Sequence, residues 1–293
     1  MTTEAKSALS DTNPPTPRTA PRAQGAWVKW LLISITILYL GLILFVPALN
    51  VFVEAFSGGV GPFFDNLKSP AFLNSVKLTV IIAAIAVPIN TVFGLCAAWA
   101  IARNHFPGRT LLLSIIDLPF AISPVVAGLM FVLLFGRNGW FGPVLDTAGI
   151  KIIFALPGMV IVTAFVTMPF VAREVIPVLE EMGSEQEEAA KTLGATDWQT
   201  FWRVTLPNIR WGLLYGVILT NARAMGEFGA VSVVSGNIAG KTQTMPLFVE
   251  EAYKQYKTPE AYSAAVILAL LAVVTLVLKE IVERKSRITD VQE

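Results

Sequence analysis

Six long apolar runs occupy most of this chain, and they limit its fold more than any other feature. Each run holds about 20 or more residues, enough for a helix rising about 1.5 Å per residue to cross about 30 Å of hydrocarbon. The runs are continuous and do not alternate with polar residues, which favours helices over the strands of a barrel. They cover about residues 30–53, 76–102, 111–135, 152–172, 212–234 and 262–281. We therefore predict an all-α integral membrane protein with six transmembrane helices.

Composition excludes several classes of function. Of the 293 residues, 54% are hydrophobic and 15% are charged, and the net charge of +1 offers no basic surface for nucleic acid. The single cysteine, Cys96, cannot form an internal disulfide, and no motif has the spacing of metal ligands. We expect the chain to lie in the lipid bilayer, to have no catalytic residues, and to bind no metal, no cofactor and no nucleic acid.

Polar segments at both ends complete the predicted domain plan. Residues 1–25 are rich in Pro, Thr, Ser and Ala without an apolar period, which is typical of a disordered tail. Residues 26–285 are predicted to form the membrane domain, and residues 286–293 a short C-terminal tail. With the N-terminus inside, the cytoplasmic segments hold roughly twice as many lysines and arginines as the opposite ones. This excess predicts a multi-pass protein of the cell inner (plasma) membrane with both termini in the cytoplasm.

The segment SGNIAGKT, residues 235–242, is similar to the phosphate-binding loop of an ATPase but departs from it. That motif needs four residues between its two glycines and a buried strand before them. Here Gly236 and Gly240 have three residues between them, Ser235 stands where the first glycine should be, and an apolar run precedes the segment. We predict an extracytoplasmic turn and no nucleotide site.

The longest predicted cytoplasmic connection, residues 175–211, carries helix signals and not those of a linker. Ser184 followed by Glu187 matches a capping box, in which the serine oxygen caps the first turn and the glutamate returns to the serine backbone. The helix beginning there is predicted to end at Gly194, since a left-handed residue commonly follows a helix and glycine adopts that conformation readily.

A second short helix is predicted to start at about residue 196. Trp198, Phe201 and Trp202 would then share one face, because they are spaced at i, i+3 and i+4. Pro207 lacks the backbone N–H and is predicted to interrupt this helix. Two interpretations of the aromatic face stay open, namely docking of a partner protein and placement at the bilayer interface.

The same loop reads E-A-A-x-x-x-G from Glu188 and, with nine residues following Gly194, V-x-L-P from Val204, a pattern that resembles the motif of a known family. The EAA motif of ABC-importer permeases lies in a cytoplasmic loop of six-span chains, and Val204 stands here where that family usually has isoleucine. Residues 222–256, ARAMGEFGAVSVVSGNIAGKTQTMPLFVEEAYKQY, make the resemblance closest to the CysW-type permease subunits of sulfate/thiosulfate importers. The resemblance covers about residues 30–285. The matching positions are Glu188, Ala189 and Ala190, then Gly194, then Val204, Leu206 and Pro207.

The resemblance implies the type I ABC importer permease fold and a transport subunit that is not itself an enzyme. It implies that sulfate or thiosulfate moves into the cytoplasm, driven by a separate subunit that holds ATP and Mg. The implied partners are a homologous second permease subunit, a cytoplasmic ABC ATPase dimer and a periplasmic sulfate-binding protein. The residues expected to dock in a groove of the ATPase are Glu188, Ala189, Ala190, Gly194, Trp198, Leu206 and Pro207.

Four residues with charged or amide side chains lie within the third and fifth apolar runs. Charges in hydrocarbon are costly, so these side chains should face the bundle interior, a water-filled path or one another. Arg223 and Glu227 stand at i and i+4 and are close enough to pair. Two interpretations stay open: an ion pair that fixes helix packing, and a translocation path in which Arg223 meets the anion. The candidate path residues are Asp117, Asn221, Arg223 and Glu227.

Other functions were weighed against this prediction. One is an ABC permease for a different oxyanion such as molybdate, and another is a self-contained secondary anion transporter. The EAA motif favours the permease over the independent carrier, because a carrier needs no element that docks an ATPase. A membrane-anchored enzyme is disfavoured, since no arrangement of nucleophile, base and metal ligands can be found in the sequence.

Overall fold

The structure, a computed structural model, describes the backbone of residues 26–290 and the side chains of residues 27–281 except 276, 278 and 279. The predicted disordered tail, residues 1–25, lies outside the described residues, as do residues 291–293 of the predicted C-terminal tail. All regular secondary structure within 26–290 is helical. The last helix continues to Asp290 and so passes the predicted domain end at residue 285.

The described part of the chain divides into two compact units, with the boundary between Asn50 and Val51. In the first unit, helix α1 is mostly apolar and is followed without a break by a π-helical turn that begins at Gly41. Helix α2 begins in the first unit and ends in the second. These elements are α1 (Ala26–Leu40), the π turn (Gly41–Phe45) and α2 (Val46–Ala55).

The second unit holds thirteen further α-helices and one more π turn among the described residues. They are α3 (Val60–Leu67), α4 (Pro70–Arg103), α5 (Arg109–Ala121), α6 (Pro124–Phe135), α7 (Gly142–Thr147), α8 (Leu156–Thr167), α9 (Pro169–Met182), α10 (Glu185–Thr192), α11 (Asp197–Thr200), a second π turn (Phe201–Thr205), α12 (Leu206–Met225), α13 (Gly229–Ser235), α14 (Met245–Lys254) and α15 (Thr258–Asp290).

Four helical stretches in the described range are long and apolar enough to cross a membrane, and a fifth is added if a bent pair counts as one span. The straight stretches correspond to the first, second, fourth and sixth predicted runs. The third run is the bent pair, α5 and α6, which meet at 106°. The fifth run is α12 and α13, which are separated at residues 226–228. The third and fifth predicted runs are therefore each built from two helices.

Two apolar cores organise the second unit. The loop-side core joins α4, α9 and α12 through buried Ala98, Val171, Val175, Leu179 and Ile209. The far-side core joins α4, α6, α8, α13 and α14, and its buried members include Ile82, Ala127, Met159, Val231 and Leu247. Helix α4 contributes to both cores, because its 34 residues rise about 50 Å along the bundle.

Small residues allow α4, α9 and α12 to approach closely. A Cβ added at Gly94 of α4 would lie 2.6 Å from the Cβ of Val171, and one at Gly216 of α12 would lie 3.0 Å from the Cα of Val171. Asn90 of α4 is buried, and its amide donates hydrogen bonds to the carbonyl of Ala164 (2.9 Å) and the hydroxyl of Thr167 (2.7 Å). Backbones this close pack well by dispersion and hydrogen bonds within lipid.

Candidate functional site

The site built around the predicted loop is a helix-glycine-helix segment, residues 183–205, which we call the coupling loop. It is shorter than the predicted connection 175–211, because α9 continues to Met182 and α12 already begins at Leu206. Gly194 has φ +89°, a conformation that glycine adopts at little cost, and it separates α10 from α11 as the sequence predicts.

The capping box predicted at Ser184 is wrong. The hydroxyl of Ser184 donates to the carboxylate of Glu188 (2.6 Å) and makes no cap to the first turn. A capping box occurs instead at the next helix, where the Thr196 hydroxyl accepts from the Gln199 N–H and the Gln199 side chain accepts from the Thr196 N–H. Thr196 begins the sequence T-D-W-Q, which has the same box spacing, so the signal was present in the sequence.

Glu187 turns away from its own helix because it anchors the coupling loop to the bundle. Its carboxylate accepts two hydrogen bonds from Arg103 at the end of α4, at 2.9 and 3.1 Å. It also accepts from the hydroxyl of Thr205 at 2.8 Å. Arg103 in turn donates to the carbonyl of Leu179 in α9 at 2.7 Å. These contacts tie the loop to α4 and α9. No motif in the sequence predicted this role for Arg103.

The residues predicted to dock an ATPase lie mostly on the open face of the coupling loop. Glu188, Ala189 and Gly194 are exposed, and Ala190 is half-buried. A Cβ at Gly194 would meet nothing within 4 Å. Leu193 beside it is 89% exposed, and sequence analysis missed it although an apolar residue next to the motif glycine was visible. This face can therefore receive another protein, and its docking role stays a prediction.

The aromatic face predicted for the second helix forms a cluster. Trp198 and Trp202 meet edge to face with ring centroids 5.5 Å apart, and Phe201 lies 5.6 Å from Trp202. Trp198 is 69% exposed. A hollow of about 300 Å³ lies between this cluster and α4, and its wall includes Trp99 and Cys96. Exposed aromatic side chains beside a hollow suit docking of a partner protein.

Pro207 does not interrupt the helix, so that prediction is wrong. It lies in the first turn of α12, where a missing N–H leaves no bond unmade. The π turn Phe201–Thr205 directly precedes it and absorbs the change in hydrogen-bond pattern. Pro207 is exposed, whereas Leu206 is half-buried and packs on the loop-side core. Leu206 therefore supports the loop from beneath.

A surface ion pair links the two short helices of the coupling loop. The ammonium of Lys191 lies 2.8 Å from the carboxylate of Asp197. The hydrogen bond from Lys191 to Asp197, with the attraction between the charges, raises the pKa of Lys191 above its ordinary value. Both side chains are exposed, so the pair orients the helices more than it stabilises them.

The candidate path residues do not gather at one place. Asp117 of α5 pairs with Arg173 of α9, where the arginine Nε lies 2.8 Å from the carboxylate. The two side chains are 39% and 54% exposed. Arg173 directly follows the predicted apolar run, which ends at residue 172, whereas helix α9 continues to Met182.

Arg223 and Glu227 form the predicted pair at the break between α12 and α13. The nitrogen-oxygen distance is 2.6 Å, although the Glu227 oxygen is not aligned to accept a hydrogen bond. Glu227 is buried, and its other oxygen accepts from the N–H of Ala230 in the first turn of α13 (2.9 Å). Asn221 makes a 3.8 Å contact with the sulfur of Met225. This geometry favours the packing interpretation for Arg223 and Glu227.

The segment 235–242 is a compact turn. Gly236 and Gly240 have φ +67° and +72°, so both adopt backbone conformations that suit glycine. The hydroxyl of Thr242 donates to the carbonyl of Ser235 (2.7 Å) and accepts from the N–H of Ile238 (3.1 Å). These bonds satisfy the loop internally, and its first glycine ends α13 instead of opening a helix. The geometry is that of a turn.

Comparison with known proteins decides the family. Residues 90–288 match the family described as the binding-protein-dependent transport system inner membrane component. This chain belongs to that family. Over 259 residues it is 67% identical to the sulfate transport system permease protein CysW of Synechocystis sp., with 88% of this chain and 94% of the relative aligned. It is 41% identical over 240 residues to the permease CysT of Escherichia coli (strain K12), with 82% and 87% aligned.

A solved structure confirms the fold. The chain superposes with a TM-score of 0.72 on a subunit of a bacterial alginate ABC transporter, in complex with a periplasmic protein that carries an alginate pentasaccharide. Sequence identity is 19%, and the match covers 89% of this chain and 94% of the other. The predicted type I importer permease fold is therefore confirmed. The family and its apolar helices make this chain a multi-pass membrane protein and a transport subunit, which agrees with the prediction that it is not an enzyme.

Proposed function

We propose that this chain is the transmembrane permease subunit of an ABC importer that moves sulfate or thiosulfate into the cytoplasm. A separate ATPase dimer holds ATP and Mg and drives the transport. The observation that carries the proposal is the coupling loop, whose open face is exposed while Glu187 and Arg103 fix its base to the bundle. A loop that is free on one side and held on the other can pass a partner's movement to α4 and α9.

The substrate rests on the relatives. The CysW and CysT proteins that this chain resembles are named as permeases of sulfate transport systems. The higher identity to CysW, 67% against 41%, favours the CysW position in the assembly and a CysT-like chain as the homologous second permease. A periplasmic sulfate-binding protein would deliver the anion, as the periplasmic protein in the alginate complex suggests by analogy.

The coupling loop sets the proposed orientation. It would face the cytoplasmic ATPase across the inner membrane, which agrees with the excess of lysines and arginines on that side and puts both termini in the cytoplasm. Lys77 lies 26 residues before Arg103 on α4, which places it about 39 Å farther along the helix, near the opposite end of the bundle. The turn at 235–242 lies near that far end, because Met245 donates to the Thr79 hydroxyl.

Uptake of labelled sulfate tests the proposal. Cells that lack this protein should recover uptake with the wild type and not with Gly194→Asp, whose carboxylate would occupy the docking face. Gly183→Asp is the matched control, because Gly183 also has positive φ and open space but lies at the start of the loop. Recovery with both variants would remove the coupling role of Gly194.

Competition separates the substrates. Excess unlabelled thiosulfate should suppress sulfate uptake, and molybdate should not. If wild type restores molybdate uptake and leaves sulfate uptake unchanged, the chain is a permease for a different oxyanion. If uptake continues when the ATPase partner is deleted, the chain is a self-contained secondary transporter, and the proposal fails.

A further inference from the structure

The pair formed by Arg173 and Asp117 lies within a membrane-spanning stretch. Arg109 and Glu180 form another pair between α5 and α9, near the coupling loop. Asp117 comes eight residues after Arg109, and Arg173 comes seven residues before Glu180. The pair of Arg173 and Asp117 therefore lies about 10–12 Å farther from the coupling loop along both helices. This depth places the charges of Arg173 and Asp117 inside the spanning part of the bundle, where contact with lipid is costly.

The charges are nevertheless uncovered in the single chain. The side chain of Arg173 is 54% exposed and that of Asp117 is 39% exposed. In the other intramembrane pair, the side chain of Arg223 is 34% exposed and that of Glu227 only 1% exposed. Because contact between these charges and lipid would cost too much free energy, the exposed face of Arg173 must meet water or protein in the assembled transporter. Arg173 and Asp117 are therefore better placed than Arg223 and Glu227 to line a water-filled path.

The guanidinium of Arg173 is bonded at Nε, while its two terminal nitrogens are open to another partner. Its Nε–H donates to Asp117, and its Cζ lies over the ring of Phe120, 4.7 Å from the ring centroid. Phe120 is itself fixed edge to face against Phe170, with centroids 5.1 Å apart. Within the described residues, the structure records no hydrogen bond from Nη1 or Nη2. A positioned arginine with its two terminal amino groups free is suited to a tetrahedral oxyanion, which it can bind through two parallel bonds.

We propose that Arg173 is an anion-binding residue of the translocation path, positioned by Asp117 and Phe120 to contact a divalent tetrahedral oxyanion as it passes. This inference rests on the proposed function, which supplies sulfate as the anion. Asp117 keeps the site neutral when no anion is present and competes with the anion for the guanidinium. Binding is therefore weak, as a path requires, since a tight site would hold the anion and stop transport.

Charge rescue at a single cysteine tests the inference. The chain has one native cysteine, so Cys96→Ser provides a cysteine-free background. In that background, Arg173→Cys is assembled with the second permease and the ATPase in proteoliposomes supplied with the binding protein. We expect sulfate uptake to fall by about tenfold or more, while ATPase activity stimulated by the binding protein stays within about twofold. A merely structural role would lower both.

Chemical modification then restores or withholds the charge. Aminoethyl methanethiosulfonate places an ammonium at residue 173 and should recover at least about a third of wild-type uptake, whereas the sulfonatoethyl reagent should recover none. Sulfate, but not chloride at equal ionic strength, should slow modification of the cysteine. Arg109→Cys is the matched control, since it breaks a pair between the same two helices, and neither reagent should change its uptake.

Each other outcome has a definite meaning. If Arg173→Cys takes up sulfate at the wild-type rate, Arg173 does not contact the anion and the inference is overturned. If Arg173→Cys prevents assembly, Arg173→Lys is used; it should assemble with about tenfold lower uptake, because an ammonium lacks the planar fork. Full uptake by Arg173→Lys, or its failure to assemble, assigns the residue to packing. If the wild-type assembly takes up no sulfate, the proposed function fails, and the same rescue is measured with the oxyanion that it does transport.

Discussion

Arg103 and Glu187, 84 residues apart in the sequence, form a two-bond contact that holds the base of the coupling loop. Both side chains are close to 90% buried. The arginine donates two directional hydrogen bonds to the buried carboxylate, and the hydroxyl of Thr205 donates a further one to a carboxylate oxygen. The exposed motif, which begins at Glu188, is therefore held in place by a buried contact between two residues outside the motif.

Replacing Glu187 should remove the contact with Arg103 and destabilise the protein. We expect Glu187→Ala to lower the free energy of unfolding by about 3 kcal/mol or more, because it leaves Arg103 buried without its counter-charge. Glu188→Ala, one residue away and exposed, should cost less than about 1 kcal/mol. Thermal unfolding of the purified assembly measures both. Equal losses for the two variants would show that the contact contributes nothing particular.

Alanine substitutions at Gly194 and Gly183 distinguish the effect of backbone strain from the effect on docking. Alanine at Gly194 or at Gly183 should cost about 1–2 kcal/mol, because both positions have positive φ and both have open space around them. Only Gly194→Ala should also reduce ATPase activity stimulated by the binding protein, since Gly194 lies on the open face between the two short helices. A comparable loss of stimulation in Gly183→Ala would mean that strain alone explains the effect.

Neutralising the pair at residues 223 and 227 should reveal a packing role. Arg223→Gln leaves a buried carboxylate without its partner and should cost about 3–5 kcal/mol. The double variant Arg223→Gln, Glu227→Gln should recover much of this loss, because the glutamine oxygen can still accept from Ala230. Sulfate uptake should recover with stability. A stable double variant that remains inactive would instead assign Arg223 to the path.

The contact between α4 and α9 should not tolerate one added methyl group. Gly94→Ala would place a Cβ 2.6 Å from that of Val171, so we expect a loss of about 1–3 kcal/mol from overpacking. Gly61→Ala in α3 is the control, since nothing lies within 4 Å of its added Cβ. The two variants are compared by their unfolding temperatures at equal protein concentration. Identical temperatures would contradict the close packing.

The local features of the coupling loop were predictable because they depend on neighbours in the sequence. Gly194, the short helix at Asp197 and the aromatic spacing all follow from propensity and period. Glu187 shows where this reasoning ends. Its spacing from Ser184 suited a capping box, but Arg103 offered two charged bonds in a buried place, and that tertiary contact outweighed the local one.

Helix ends in the membrane were harder to predict. The predicted fourth run ends at residue 172, whereas packing of Val171, Val175 and Leu179 on α4 and α12 keeps α9 helical to Met182. The break at 226–228 contains Gly226 and is followed by Gly229, yet hydropathy alone joined the two sides. Composition predicts that a segment enters the membrane, but packing decides where its helix bends.

The two broken runs meet at their breaks. A Cβ at Gly229, which begins α13, would lie 3.0 Å from the Cβ of Pro124, which begins α6. On one side of this level, α5 and α12 pack against α9; on the other, α6 and α13 pack against each other and α8. The bundle thus has two layers of helices that meet at the breaks in the two runs, and helix α4 runs without interruption through both layers. If an ATPase docks on the coupling loop as proposed, its movement has two routes to the α6–α13 end of the bundle: the contact between Gly229 and Pro124, and the continuous helix α4.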